Sequence, residues 1–350
     1  MRVAKFTALK QVEIVEEPEP SIERPDDVLV RIDRVGVCGS DVHYYLDGRI
    51  GNQEVHYPAD LGHECAGTIE KTGENVVALC PGDRVAIDPA FVCGVCDQCM
   101  AGRANTCRRL QFMGCPGEAP GAVAEYRVLP ARNCFRIPDS MTLDEATIVE
   151  PLTIGYHTLR LGGLQPGAKA AVFGAGPIGL STLLLARPWA GGPVTTYVTD
   201  LLDERLAVAR RCGADWTGNP RRDDVVAAIL REEPRGVDVV FECSGDPACV
   251  DQAMHLLSPG GILVLVGIPV AETLAFDPHI MRRKELTFKN VRRQNDCTAA
   301  VLKCMAQDRF DPSPLLTHRF PLAQIHEAFE LVAGYRDGVI KAVIDISGAD

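Results

Sequence analysis

Hydrophobic and polar positions follow two rhythms along this chain. Up to about residue 150 the apolar positions come in short runs broken by Gly and Pro. Val28 to Val35 reads VLVRIDRV, with charged residues set between apolar ones, and predicts a strand by alternation. Shorter runs at Ala66–Lys71 and Arg84–Ile87 predict further strands. This part is expected to be β-rich and antiparallel, with long loops. After Pro166-Gly167 the rhythm changes. Ala168–Phe173 is apolar apart from one Lys, as a strand buried on both faces requires. A glycine-rich turn follows, then a helical stretch from Ile178 to Ala186, a strand at Val194–Thr199 and a helix at Glu204–Arg211. Val237–Glu242 and Ile262–Val266 predict two more buried strands. Strands alternating with helices predict an α/β fold with a doubly wound parallel sheet. From residue 291 the alternation is lost. The order fits a β-rich domain at 1–155, a nucleotide-binding domain at 156–290, and a return to the first domain over 291–350.

Composition narrows the function classes. A net charge of -11 disfavours nonspecific nucleic-acid binding, which needs a basic surface. No run of eighteen apolar residues appears, so no membrane span is expected, and the N-terminus lacks a signal-peptide core. A cytoplasmic protein is expected. Fourteen cysteines are many for that compartment, where disulfides are rare, so they need another explanation. Cys93, Cys96, Cys99 and Cys107 supply one. Four thiolates close the coordination sphere of a tetrahedral zinc, which would then be structural. An iron–sulfur cluster and four reduced thiols without metal are the alternatives.

Gly174-Ala175-Gly176-Pro177-Ile178-Gly179 is a GxGxxG that leaves a predicted strand and opens a predicted helix. Asp200 stands about twenty residues on, at the end of the next strand, which is the context a dinucleotide fingerprint requires. Gly174 serves the tight turn, Gly176 the approach to the pyrophosphate and Gly179 helix–strand packing. The start of the helix at Pro177-Ile178 offers unpaired N–H groups to phosphate, Pro177 itself contributing none. Asp200 would accept from the adenosine ribose and repel a 2′-phosphate, so NAD is predicted over NADP, with Arg205 able to contact either. Upstream, Cys38-Gly39-Ser40-Asp41-Val42-His43-Tyr44 and Gly62-His63-Glu64 carry a thiol, an imidazole and a carboxylate. A catalytic zinc takes three such ligands and keeps one position open.

Longer stretches carry a resemblance: VCGSDVHYYLDGRIGN at 37–52, LGHECAGTIEKTG at 61–73, VEPLTIGYHTLRLGG at 149–163, VFGAGPIGL at 172–180 and FECSG at 241–245. With them the chain resembles the zinc-containing medium-chain dehydrogenases over nearly its whole length, most of all their sorbitol (polyol) branch. The resemblance implies a GroES-like catalytic domain joined to a Rossmann domain. It implies Cys38 and His63 as zinc ligands, Glu64 as a ligand of the polyol type, and Glu150 as a second carboxylate that meets the zinc water or replaces it. It implies two Zn2+ per subunit, oxidation of a secondary alcohol of a polyol to a ketose with hydride passing to NAD, and a homotetramer. Ser40 and His43 stand where the family carries a proton relay, with Glu150 as a second route. Tyr44 matches a substrate-pocket aromatic; a packing tyrosine with a paired hydroxyl is the alternative. Arg292 matches an arginine that meets substrate hydroxyls, and Arg293 stands where a tyrosine is usual. Pointing inward, Arg293 would favour an oxidised or acidic sugar derivative; pointing outward it is surface charge. Val123 stands where a larger Phe is frequent, which leaves a roomier pocket. The rival functions are a zinc dehydrogenase of threonine or a short diol, and a non-catalytic NAD-binding protein.

Overall fold

The computed structural model describes residues 1–348 of the chain. The strands used below are, in chain order, β1 (Asp27–Gly36), β2 (Glu64–Thr72), β3 (Arg84–Ile87), β4 (Tyr126–Pro130), β5 (Cys134–Arg136), β6 (Lys169–Phe173), β7 (Thr195–Thr199), β8 (Trp216–Gly218), β9 (Val237–Glu242), β10 (Leu257–Leu265), β11 (Thr287–Asn290), β12 (Leu316–Pro321) and β13 (Lys341–Asp345). The helices are α1 (Gly39–Asp47), α2 (Val149–Gly162), α3 (Pro177–Ala190), α4 (Asp203–Arg211) and α5 (Pro247–Leu256).

Two compact units divide the chain. The first holds Met1–Glu150, Thr298–Leu302 and Leu316–Asp350; the second holds Pro151–Cys297 and Lys303–Leu315. The divide falls inside α2, which runs on through Pro151 because proline in a first helical turn forfeits no intrahelical hydrogen bond. The return to the first unit is interrupted, since 303–315 stays with the second.

In the first unit a seven-stranded sheet has the order β5-β3-β2-β1-β13-β12, with β4 also paired to β1. All its pairings are antiparallel except β12 with β13. The alternation read in VLVRIDRV does not put its charges in water. Asp33 and Arg34 are both buried, because β1 lies in the middle of the sheet and is covered on both faces. Their charges are matched: Asp33 accepts from Arg31 Nε at 3.0 Å as well as from Thr68 Oγ1 at 2.7 Å, and Arg34 donates to Asp345 at 2.6 Å and to Asp144 at 2.9 Å. That pairing is what a buried charge requires.

The second unit is a six-stranded sheet of order β8-β7-β6-β9-β10-β11 with every neighbour parallel. Sequence order reverses between β6 and β9, so a crevice opens at the carboxyl ends of these two strands, where such sheets bind nucleotides. α3 extends past the predicted end at Ala186 and through Pro188, to a left-handed Gly191 cap. A cavity of about 460 Å³ opens at the opposite ends of the strands, among Gly163, Pro166, Asp238 and Pro259. It lies on the wrong side of the sheet for the nucleotide.

Candidate metal and dinucleotide sites

The first cluster is built at the junction of β1 with α1. Cys38 is the N-cap of α1, and Asp41 at the third helical position turns its carboxylate back to the Cys38 N–H at 3.3 Å. The same carboxylate accepts from Gly62 N at 3.4 Å and lies 3.7 Å from His63 Nδ1. Asp41 therefore fixes both stretches that supply donors. At 3.7 Å it flanks the Nδ1 side of the imidazole as an ion-pair partner, the place that outer carboxylates take beside ligating histidines. Asp41 is itself buried.

The donor atoms of Cys38, His63 and Glu64 all lie within 4.8 Å of one another. Bonds of about 2.0–2.3 Å put two ligands of one zinc at most about 4.6 Å apart, so the three stand at near-coordinating separations. Their field suits a cation. Burial alone would lower the pKa of His63, but the Cys38 and Asp41 charges more than offset it and hold the imidazole well above its usual range. Glu64 is not idle: Lys341 Nζ reaches both its oxygens, at 2.7 and 2.5 Å, and also donates to Val37 O at 3.0 Å. Both side chains of this pair are 1% exposed. Burial pulls the Lys341 ammonium down; the Glu64 and Cys38 charges outweigh it and raise its pKa. Glu64 as a metal ligand would have to share its carboxylate with Lys341.

Glu150, in the first turn of α2, is buried near this cluster without joining the three mutually close donors. Burial pushes its carboxyl up to about 7; the His63 charge opposes that and the Glu64 charge adds to it. Ser40 Oγ lies 3.3 Å from Cys38 Sγ. His43 follows one turn later on α1 with Nδ1 3.6 Å from Asp47. Tyr44 is buried, and its hydroxyl donates to Gln53 Oε1 at 2.8 Å. Val123 packs against Gly62: its Cγ2 lies 2.6 Å from where a Cβ on that glycine would stand.

The four-cysteine lobe is a second cluster. Sγ separations are 3.5 Å for Cys93–Cys107, 3.6 Å for Cys96–Cys99 and 3.9 Å for Cys96–Cys107. A tetrahedron with metal–sulfur bonds of about 2.3 Å has edges of about 3.8 Å, so the thiols already outline one. The Val95 amide holds the Cys93 thiol down at about 6, while burial and the neighbouring thiols push Cys99 up to about 12. With all four ionised, sulfurs this close would need a cation among them. Cys107→Ser is expected to lose one metal per chain and several degrees of melting temperature. Unchanged metal content and melting temperature would show that the lobe holds no structural metal.

In the second unit, β6 runs into Gly174 at φ +96°, a conformation that favours glycine. A Cβ on Gly179 would stand 1.8 Å from Gly174 O, so the turn and the helix close on each other only with glycine there. Gly176 caps α3 without a side-chain hydrogen bond, and Arg205 Nη1 lies 3.5 Å from its hypothetical Cβ. Asp200 braces the turn: its oxygens accept from Ala175 N at 2.7 Å and from Leu202 N at 2.9 Å. Across the crevice Glu242 accepts from Ser244 Oγ at 2.6 Å, Ser244 N at 2.7 Å and Gly245 N at 2.9 Å, fixing the turn after β9 against Gly174.

Arg292 and Arg293 also belong to the second unit, just after β11. Arg292 is exposed; Arg293 is half-buried with φ 54°. Their segment is tied down by Arg160, which donates to Asn295 O at 2.6 Å and to His157 Nδ1 at 2.8 Å. Arginine only donates, so His157 is the acceptor and is neutral. Burial and the Arg160 charge push its pKa down from 6.5 to about 4. A folded-state pKa below the unfolded one means stability is present above pH 6.5 and lost as pH falls toward 4. His157→Gln is expected to show a shallower loss of stability over that window in urea titrations. Parallel curves for the two proteins would remove His157 from the account.

Sequence reasoning missed Asp41, Lys341, Gln53, Glu242 and Ser244. Lys341 had a readable signal, a lone cation in the apolar run Val339-Ile340-Lys341-Ala342-Val343-Ile344, which asks for a buried acid.

Among the described residues, the first unit thus carries two clusters of metal-type donors and the second a glycine turn of the dinucleotide-binding kind. Residues 24–139 match the model of the alcohol dehydrogenase GroES-like domain, and residues 177–307 match that of the zinc-binding dehydrogenases. Sorbitol dehydrogenase of Bacillus subtilis is 34% identical over 98% of this chain and 97% of its own length. L-idonate 5-dehydrogenase of Vitis vinifera is 38% identical over 88% of this chain and 85% of its own. Two solved structures align with it at 99% and 98% coverage of both chains. One is an Escherichia coli CFT073 alcohol dehydrogenase complexed with NADH (TM-score 0.90, 29% identity), the other a Sinorhizobium meliloti zinc-binding dehydrogenase bound to NADP (TM-score 0.87, 30% identity). The chain belongs to the zinc-type medium-chain dehydrogenases, with their GroES-like and Rossmann domains. Among the described residues no helix is long and apolar enough to cross a membrane.

Proposed function

We propose that the protein oxidises a secondary alcohol of a sugar alcohol to a ketose, with one catalytic zinc, one structural zinc and NAD. The observation that carries the reading is the donor set of Cys38, His63 and Glu64, held by Asp41 and Lys341, beside a second buried carboxylate. Bound there, zinc supplies Lewis acidity toward a hydroxyl, and a bound nicotinamide accepts the hydride. Cys38 and His63 would hold the metal. The third donor is Glu64 or Glu150; because Lys341 already occupies both oxygens of Glu64, exchange between the two carboxylates is part of the proposal. Glu150 near pH 7 can take or return a proton at its carboxylate. Ser40 and His43, on one turn of α1, offer a second exit for that proton. The four-thiol lobe would hold the structural zinc.

NAD over NADP is supported by Asp200, whose charge at the end of β7 would repel a 2′-phosphate. Polyol over threonine or a short diol is supported by similarity to the sorbitol dehydrogenases. A cytoplasmic homotetramer, the assembly that the family resemblance implies, is part of the proposal, and sedimentation would check the tetramer. The test is reduction of NAD and of NADP by pentitols, hexitols, inositols, butanediol and threonine, with zinc measured alongside. The reading expects NAD reduction that strengthens with polyol chain length. Turnover only with threonine, or better turnover with NADP, would reject the corresponding part.

A further inference from the structure

We propose that Asp97 and Arg108 form a clasp that keeps the four-thiol lobe closed on its metal, Asp97 as a positioning residue for Cys96 and Arg108 for Cys107. The proposal rests on the reading above, that this lobe holds a zinc.

The lobe has little apolar material to hold it together. Of its four cysteines only Cys107 is buried, and Val95 and Met100 are 68% and 76% exposed. Its backbone makes two short turns. Cys96 is the N-cap of the helix Asp97–Met100, and Cys107 ends the 3-10 turn Ala104–Thr106 with its N–H on Ala104 O at 2.9 Å. Helical pieces of four and three residues have no stability of their own. Side chains must therefore help the thiols to keep the two turns together.

Each turn carries one charge beside its ligand. Asp97 follows Cys96 in the chain, and Arg108 follows Cys107. Arg108 donates from Nε to Asp97 Oδ1 at 2.6 Å and from Nη2 to Asp97 Oδ2 at 2.9 Å. Two parallel bonds fix orientation as well as distance. The sulfurs of the two adjoining cysteines stand 3.9 Å apart. A second tie joins the same turns: Thr106 Oγ1 donates to Gln98 Oε1 at 3.0 Å, and Gln98 Nε2 donates to Asp97 Oδ2 at 2.8 Å. The Asp97–Arg108 pair lies in water, with side chains 53% and 68% exposed, so its strength comes from bidentate geometry and not from burial.

Charge balance explains why the acid comes with an arginine. Four thiolates on one Zn2+ leave two negative charges in excess. A lone carboxylate beside such a centre would be repelled by it. Asp97 stands next to Cys96 with its charge matched by Arg108, and the matched pair supplies the tie.

The experiment follows zinc release from the full-length, zinc-replete protein to the chromogenic chelator 4-(2-pyridylazo)resorcinol. The phase that belongs to the lobe is the one that Cys107→Ser lacks. Asp97→Asn and Arg108→Gln are each expected to speed that phase by about three- to tenfold and to leave the phase of the other zinc where it was. The double variant is expected to be no faster than the faster single variant, because either substitution already opens the clasp. Charges acting on the thiolates only through space would give a different pattern: Asp97→Asn would slow release and Arg108→Gln would speed it. Opposite signs, a double variant at the product of the two singles, single variants within about 1.5-fold of wild type, or both phases moving together overturn the proposal and leave the structural zinc standing. A wild type with no phase that Cys107→Ser lacks overturns the proposal and the structural zinc together.

Discussion

Replacing Lys341 by Met is expected to destabilise the protein by about 3–5 kcal/mol, because it strands the Glu64 charge in a site where both partners are 1% exposed. The ammonium makes three hydrogen bonds, two to Glu64 and one to Val37 O, and methionine replaces none of them. Its aliphatic stem fills much of the same space, so the loss is electrostatic rather than a cavity. A second change makes the cause visible. Glu64→Gln in the Lys341→Met background removes the stranded charge and is expected to restore most of the stability, since a buried pair is often worth little net while half a pair is costly. Urea unfolding of the wild type and the two variants is the check. A single-variant loss below about 1 kcal/mol, or a double variant no better than the single, would mean that water reaches Glu64 and the pair is not what holds β1, β2 and β13 together at this point.

His63→Ala is expected to lower kcat/KM by at least about a thousandfold, which corresponds to about 4 kcal/mol of transition-state stabilisation. It should also reduce bound zinc from two per chain to one, leaving the four-thiol lobe loaded. The fold should survive, because the loss of His63 leaves the Asp41 bonds to Cys38 N and Gly62 N in place. Retained activity with both zincs bound would move the catalytic metal away from this cluster.

The parts of the molecule that could be read from sequence were those where one local rule decides the outcome. The GxGxxG needs a strand before it and a helix after it, and β6 and α3 supply them around Gly174 and Gly179. Cys93, Cys96, Cys99 and Cys107 sit close in sequence, so closeness in space follows. What escaped was set by partners far apart in the chain. VLVRIDRV read as an alternating strand, and nothing local says that β13, about three hundred residues later, will pair with it and bring Asp345 to Arg34. Glu64 read as a simple donor because its competitor, Lys341, arrives on that same distant strand. Asp41 was passed over as one more polar residue in a motif, although an acid at the third position of a helix whose N-cap is Cys38 has a readable task. Gln53 carries no spacing signal; only the fold brings it to Tyr44.

The most direct measurement is the formation of NADH from sorbitol by the purified protein, with zinc counted in the same sample before and after mild chelation. The account predicts two zincs per chain, NADH formation with NAD, and loss of activity in step with loss of the first zinc, recovered when zinc is returned. Two bound zincs with no NADH from any secondary alcohol, or full activity after the first zinc is gone, would contradict it.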